Sequence, residues 1–264
     1  MNAARLGKVA LAGSGKAALG TGLAGSAITA LSGAPGQVSH VFRRRFPTVA
    51  VTGMTGVGKT RLADRLAKQA SSEASLESGS ATMERRSRRT SRLHGFRLRV
   101  VPGDNAATRL GALDEVFHDD PVDGVLHVVA YGHATPRRTA GVSGAAEASR
   151  EQQLAAELED WSITAHRIAS MAVRRDKPIW LVIVVTKTDL FEDDLDEAIR
   201  YYSPGSGSPF AAKLDELRSL AGGAKLSIDV LPMCAPEAKL KKGSPCERHL
   251  VALETRMAQL SGHV

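Results

Sequence analysis

Short apolar, β-branched runs recur along the chain at intervals that leave room for helices between them. Residues 48–52, 96–101, 124–130, 179–185 and 226–231 read as strands on this criterion. The fourth run, Ile-Trp-Leu-Val-Ile-Val-Val, is apolar without alternation, which predicts a central parallel strand covered on both faces. After Thr60, the residues Leu62, Ala63, Leu66, Ala67 and Ala70 recur at helical spacing, with Asp64 and Lys68 expected as an i,i+4 pair on the exposed side. A longer helical stretch spans roughly 147–175. Between the first helix and Phe96 the chain is polar and Arg-rich; residues 82–90, followed by Leu93-His94-Gly95, predict an edge strand and tight turn pairing antiparallel with 96–101. Strands alternating with helices specify an α/β fold, a doubly wound and mostly parallel sheet with helices on both faces.

Composition changes this picture mainly at the ends. The chain has 264 residues, enough for one α/β domain and a tail, and a net charge of +7. That charge is concentrated. Residues 1–46 hold Arg5, Lys8, Lys16, Arg43, Arg44 and Arg45 with no acid, residues 85–99 add a second acid-free basic block, and the remainder is net acidic. Aromatics make up 4% and do not interleave with the arginines, which argues against a nucleic-acid partner. The organisation expected is a tail over 1–45, rich in Ala and Gly, and a domain over 46–264. The tail reads as disordered or as membrane-associating through its basic flanks; its many glycines make a poor spanning helix. Lys16 interrupts any secretory core, and an organelle transit peptide stays open. Cys234 and Cys246 give no disulfide framework, and Cys246-Glu247-Arg248-His249 lacks a fourth ligand for zinc. A cytoplasmic setting follows, with the tail as the route to an anionic membrane surface.

The chemistry begins directly after the first strand. Gly53-Met54-Thr55-Gly56-Val57-Gly58-Lys59-Thr60 is a complete phosphate-binding loop between a strand and a helix. Its glycines let the backbone N–H groups of Gly53, Thr55, Gly56, Val57 and Gly58 turn inward on a phosphate, and the helix adds its positive N-terminal end. Lys59 is expected on the β- and γ-phosphates and Thr60 on Mg²⁺. A second constellation, Thr186-Lys187-Thr188-Asp189, follows the buried run ending at Val185, the strand end where ligands of open α/β sheets bind.

Together these motifs resemble the small-GTPase-like (TRAFAC-type) P-loop G domains, over about residues 46–240. The resemblance implies guanine nucleotide, GTP or GDP, with Mg²⁺ as cofactor. Asp189 would accept the guanine N1 and N2 hydrogens, Lys187 would lay its stem along the base, and Thr186 stands where relatives carry Asn or Thr. Cys234 and Ala235, after the last strand, occupy the place of the backbone contact to guanine O6. A protein regulator or effector would be a further partner.

The third motif of that family, Asp-x-x-Gly, reads Val100-Val101-Pro102-Gly103 here. Val100 offers no metal-linked carboxylate. Gly103 can still present its N–H to a γ-phosphate, and Asp104 follows at the place of the family's water-orienting Gln, where it could equally cap the next helix. Thr82 is the favoured γ-phosphate-sensing and metal-side threonine. On these grounds Lys59, Gly103 and Asp104 are the expected catalytic groups, and slow hydrolysis by a molecular switch is the expected function. A nucleotide-stabilised scaffold at a membrane is the alternative; so is a P-loop ATPase or kinase, although the 96–101 strand ends in no acid. His127 reads as a packed, hydrogen-bonded histidine, His133 lies nearer the nucleotide face, and the 85–99 arginines read as a solvated edge.

Overall fold

A computed structural model of the chain describes residues 46–67, 83–89, 95–103, 106–135, 148–234 and 243–262, all within one compact unit, Phe46–Val264. The tail over 1–45 lies outside the described residues, as do Thr82, Asp104 and Ala235. Six strands build the sheet: β1 (Thr48–Thr52), β2 (Glu84–Arg89), β3 (Gly95–Val100), β4 (Gly124–Val129), β5 (Ile179–Val185) and β6 (Leu226–Pro232). They run in the order β2-β3-β1-β4-β5-β6, with β2 antiparallel to β3 and every other pair parallel. The order reverses at β1, which lies between β3 and β4. The carboxyl end of β1 therefore opens onto the crevice where such sheets bind ligands.

Helices cover both faces. On one side lie α2 (Ala106–Asp114, continuing as a π-turn over Glu115–Asp119), α3 (Arg150–Arg174), α4 (Leu195–Tyr202) and α5 (Pro209–Ala221). Their apolar stripes supply Leu113, Phe117, Trp161, Ile168, Met171, Tyr202, Phe210 and Leu214 to one core layer, together with Ala50, Val125, Val129, Leu181, Ile183 and Val185 from the sheet. On the other side α1 (Lys59–Ala67) and α6 (Pro245–Leu260) bring Leu62, Leu66, Leu253 and Met257 against Val49, Val51, Leu98, Leu126, Val182 and Val184. β5 contributes alternate residues to both layers and is buried along its whole length, hence the absence of alternation in its sequence.

Local signals set the helix starts. Ser149 and Gln152 form a reciprocal capping box on α3, and Ser208 and Ser244 cap α5 and α6, each ahead of a proline in the first turn. The α6 helix lies beyond the last expected strand; its start is set by Ser244 and Pro245 and its place by the apolar face it buries.

Two expectations are corrected. Asp64 does not lie on the exposed side of α1: it is 4% exposed and pairs with Arg86 of β2 at 2.9 Å. The basic edge is only partly solvated, because Arg86 also binds Glu84, Arg85 binds Glu115 and Arg99 binds Asp120, while Arg97 stays exposed. For Asp64 the partner comes from β2, and for Arg85 and Arg99 from the π-turn and the residue after it, positions invisible in either element's own periodicity.

Candidate nucleotide site

The residues 53–60 turn from β1 into α1 with Gly53, Gly56 and Gly58 at φ 127°, 80° and 97°, a region closed to most side chains. Lys59 is 8% exposed, and its Nζ donates to the carbonyls of Gly53 (2.7 Å) and Met54 (2.8 Å), so the ammonium sits inside the loop it belongs to. Thr60 occupies the first turn of α1 and is half-buried. Gly103 comes down on the same loop: a Cβ there would lie 2.6 Å from Thr55 Oγ1 and 2.8 Å from Lys59 Nζ. Thr55, Lys59 and Gly103 therefore meet at the loop's mouth. Val100 is 2% exposed and packs in the apolar layer beneath α1.

From the other side of the crevice, β5 delivers Thr186. Its hydroxyl is buried, 2.7 Å from the Val57 carbonyl and 2.9 Å from the Val129 carbonyl, so its one O–H is shared between the phosphate loop and the end of β4. Lys187 has φ 58° and is followed by a single turn of 3-10 helix, Thr188–Leu190, that holds Asp189 at the surface. Lys187 Nζ donates to the His133 carbonyl (2.7 Å) and to Thr135 Oγ1 (2.6 Å). Burial, then the Arg61 charge, pulls its ammonium down to about 8, with Asp189 opposing. Met233, whose N–H bonds Val185 and whose carbonyl accepts the Thr188 N–H, brings Cys234 beside this turn; Cys234 is buried, its Sγ 3.5 Å from His249 Nδ1.

Sequence reasoning left the loop after β4 unassigned. The structure places Thr135 against the phosphate loop, its N–H donating to the Gly56 carbonyl at 3.1 Å, and stacks His133 on Phe191 with centroids 5.2 Å apart. His133 reads from the sequence as nearer the nucleotide face but without a partner, and Thr135 belongs to no recognisable motif, so nothing in the linear pattern marks it. His127 fulfils its packed reading: it is 1% exposed, bonded to Thr52 Oγ1 at 3.0 Å and set edge-on to Trp161. Burial, with the Arg109 and Lys59 charges, lowers its pKa to about 3. Beside it α2 and α3 are joined by Arg109 and Asp160, 2.5 Å apart and both largely buried.

Comparison with known proteins gives the fold a context. No protein-family model matches the chain, and no curated protein sequence matches it either. Among solved structures it is similar to the signal recognition particle receptor SRb-GDP from Chaetomium thermophilum, at 15% identity and a TM-score of 0.46 over 80% of this chain and 97% of that one. It is likewise similar to the mammalian SRP receptor, at 15% identity and a TM-score of 0.47 over 81% and 99% of the two chains. These are likenesses of chain path. The mostly parallel sheet, the helices on both faces and the glycine-rich loop from β1 into α1 make the chain an α/β protein of phosphate-loop type.

Among the described residues no helix is long and apolar enough to cross a membrane, and no group of His, Cys, Asp and Glu is arranged to hold a metal ion.

Proposed function

We propose that the chain is a guanine-nucleotide-binding protein that hydrolyses GTP slowly, with Mg²⁺, and acts as a switch. One observation carries the reading: Thr186 joins the strand end bearing Lys187 and Asp189 to the Val57 carbonyl of the phosphate loop, so the phosphate and base determinants form one continuous surface. Asp189, exposed at the end of that surface, is suited to pair with the N1 and N2 hydrogens of guanine. Adenine offers no such pair of donors, and a site built on a hydrogen-bonding carboxylate rejects it strongly.

Binding and chemistry divide among few groups. The N–H groups of Gly53 to Gly58 and the Lys59 ammonium neutralise phosphate charge, Lys59 exchanging its bonds to the Gly53 and Met54 carbonyls for phosphate oxygens. Gly103, already against Thr55 and Lys59, would offer its N–H to a γ-phosphate. The Thr60 hydroxyl is a suitable oxygen donor that would hold Mg²⁺, and the ion would supply neutralisation of phosphate charge. Val100 is sealed in the apolar layer and offers that ion no carboxylate, which supports slow turnover. Thr82 and Asp104 complete the proposed set, on the metal and water sides.

Equilibrium binding of fluorescent GDP, GTP and ATP tests the reading. The expected outcome is a guanine preference of at least a hundredfold, lost in Asp189→Ala, and multiple turnover that stops in Lys59→Ala. Equal affinity for ATP refutes the base assignment. The tail suggests a role at an anionic membrane surface, with a protein regulator or effector; deletion of residues 1–41 followed by vesicle sedimentation tests that part.

A further inference from the structure

The loop 130–135 after β4 is held in a conformation its sequence does not favour. Tyr131 has φ 51°, a left-handed backbone for a bulky side chain, and Gly132 follows at φ 77°. The restraint comes from α3. Glu157, 1% exposed, accepts the Ala130 N–H at 3.0 Å and the Gly132 N–H at 3.4 Å on one carboxylate oxygen, and the Tyr202 hydroxyl on the other. The backbone of Tyr131 bonds the same phenol, and the Arg150 guanidinium lies 4.3 Å over the Tyr131 ring. A buried carboxylate thus serves as the template on which the Ala130 and Gly132 N–H groups converge, either side of Tyr131.

What the loop carries at its far end is the nucleotide site. Thr135 bonds Gly56 of the phosphate loop, and a Cβ on Gly56 would fall 2.2 Å from the Thr135 carbonyl, so the two backbones are packed without slack. The His133 carbonyl and the Thr135 hydroxyl both take hydrogen bonds from Lys187. Glu157 makes no hydrogen bond to the phosphate loop and acts on Lys187 directly only through its charge, while the contacts of Thr135 and His133 with Gly56 and Lys187 lie at the far end of the turn it templates.

We propose that Glu157 is a positioning residue for guanine-nucleotide binding, acting through the 130–135 loop on Gly56 and Lys187. The inference rests on the guanine-nucleotide reading above. Its chemistry requires a carboxylate that can accept from three donors at once. An amide in its place keeps the two backbone bonds but presents an NH2 to Tyr202, whose hydroxyl must then accept and loses the acceptor for its own proton, and an aliphatic group leaves all three donors unsatisfied.

The test compares the full chain with Glu157→Gln, Glu157→Ala and Tyr202→Phe in two measurements. The first is GDP affinity; the second, made without nucleotide, is the rate at which Lys187 is acylated by an amine-directed reagent, read by mass spectrometry. Glu157→Gln and Tyr202→Phe are each expected to weaken GDP binding about fivefold to thirtyfold and to raise Lys187 acylation severalfold. In a double-mutant cycle with Lys187→Met, their effects on affinity should not add. Should Glu157→Ala fail to fold, the two conservative variants still decide. A general loss of packing would lower the melting temperature while leaving GDP affinity and Lys187 labelling within twofold of the parent, and that result overturns the positioning role. If the parent chain shows no preference for GDP, the ligand reading fails and the positioning role falls with it; a labelling response in the same samples separates that case from a loop that Glu157 does not control.

Discussion

Gly56→Ala and Gly58→Ala make the same chemical change two residues apart, and the structure assigns them different costs. Both glycines have positive φ, 80° and 97°, so alanine at either position takes up a left-handed strain of about 1–2 kcal/mol, offset by about 0.4–1 kcal/mol from the stiffer unfolded chain. For Gly58 the account stops there, because nothing lies within 4 Å of the new Cβ. A net loss of about 1 kcal/mol follows for that variant. At Gly56 the Cβ would sit 2.2 Å from the Thr135 carbonyl oxygen, a backbone atom that cannot rotate away. Forcing the β4 loop off the phosphate loop adds an overpacking cost of about 1–3 kcal/mol. The two variants should therefore differ by about 2 kcal/mol in the nucleotide-free protein, which at a slope near 2 kcal/mol per molar urea is about 1 M in the unfolding midpoint. Urea titration followed by tryptophan fluorescence reads this directly. Coincident midpoints would refute the close contact between the two loops, whatever either variant does to nucleotide affinity.

Other expectations follow from single contacts. Arg86→Met alone should cost about 2–3 kcal/mol, the usual penalty for stranding a buried carboxylate discounted for the exposure of Arg86; Asp64→Asn, which leaves Arg86 on Glu84, should cost less, and Asp64→Leu combined with Arg86→Met should recover much of the loss in the same urea assay. His127 titrates near 3 in the folded chain against 6.5 ordinarily; a depressed pKa stabilises the fold above pH 6.5, and that contribution is lost as pH falls from 6.5 through about 3. The wild-type slope of unfolding free energy over that window should exceed that of His127→Gln by up to about 1.4 kcal/mol per pH unit, and equal slopes would mean that the imidazole is not held neutral. Thr186→Val preserves shape and removes the hydroxyl that reaches Val57; calorimetry should show guanine-nucleotide affinity lowered about fivefold to thirtyfold, equivalent to about 1–2 kcal/mol.

Much of the frame was legible in the linear pattern, because its causes are local. The 179–185 run is apolar throughout since it feeds both core layers, and β1, β4 and β6 carry enough β-branched residues to be read singly. Even the antiparallel edge strand could be expected from its neighbour and the turn between them. The phosphate loop was legible for a related reason: the spacing of Gly56, Gly58 and Lys59 is a backbone requirement and leaves a fixed imprint on the sequence.

Relations across the fold left no such imprint. Asp64 occupies a helical position that looks solvent-facing until β2 brings Arg86 over it. Thr135, His133 and Glu157 belong to no motif, and their importance comes from a loop that β4 and α3 jointly hold against the phosphate loop. The sequence by itself determined most of the elements and the spacing of the loop after β1, and it marked the residues we propose for phosphate and base, because each depends on residues a few positions apart. Only the tertiary structure decided that Val100 is sealed in the core, that Gly103 meets Thr55 and Lys59, and that Thr186 and Lys187 are tied to the first loop. Those contacts join segments far apart in the chain, and only the register of the sheet brings them within hydrogen-bonding distance.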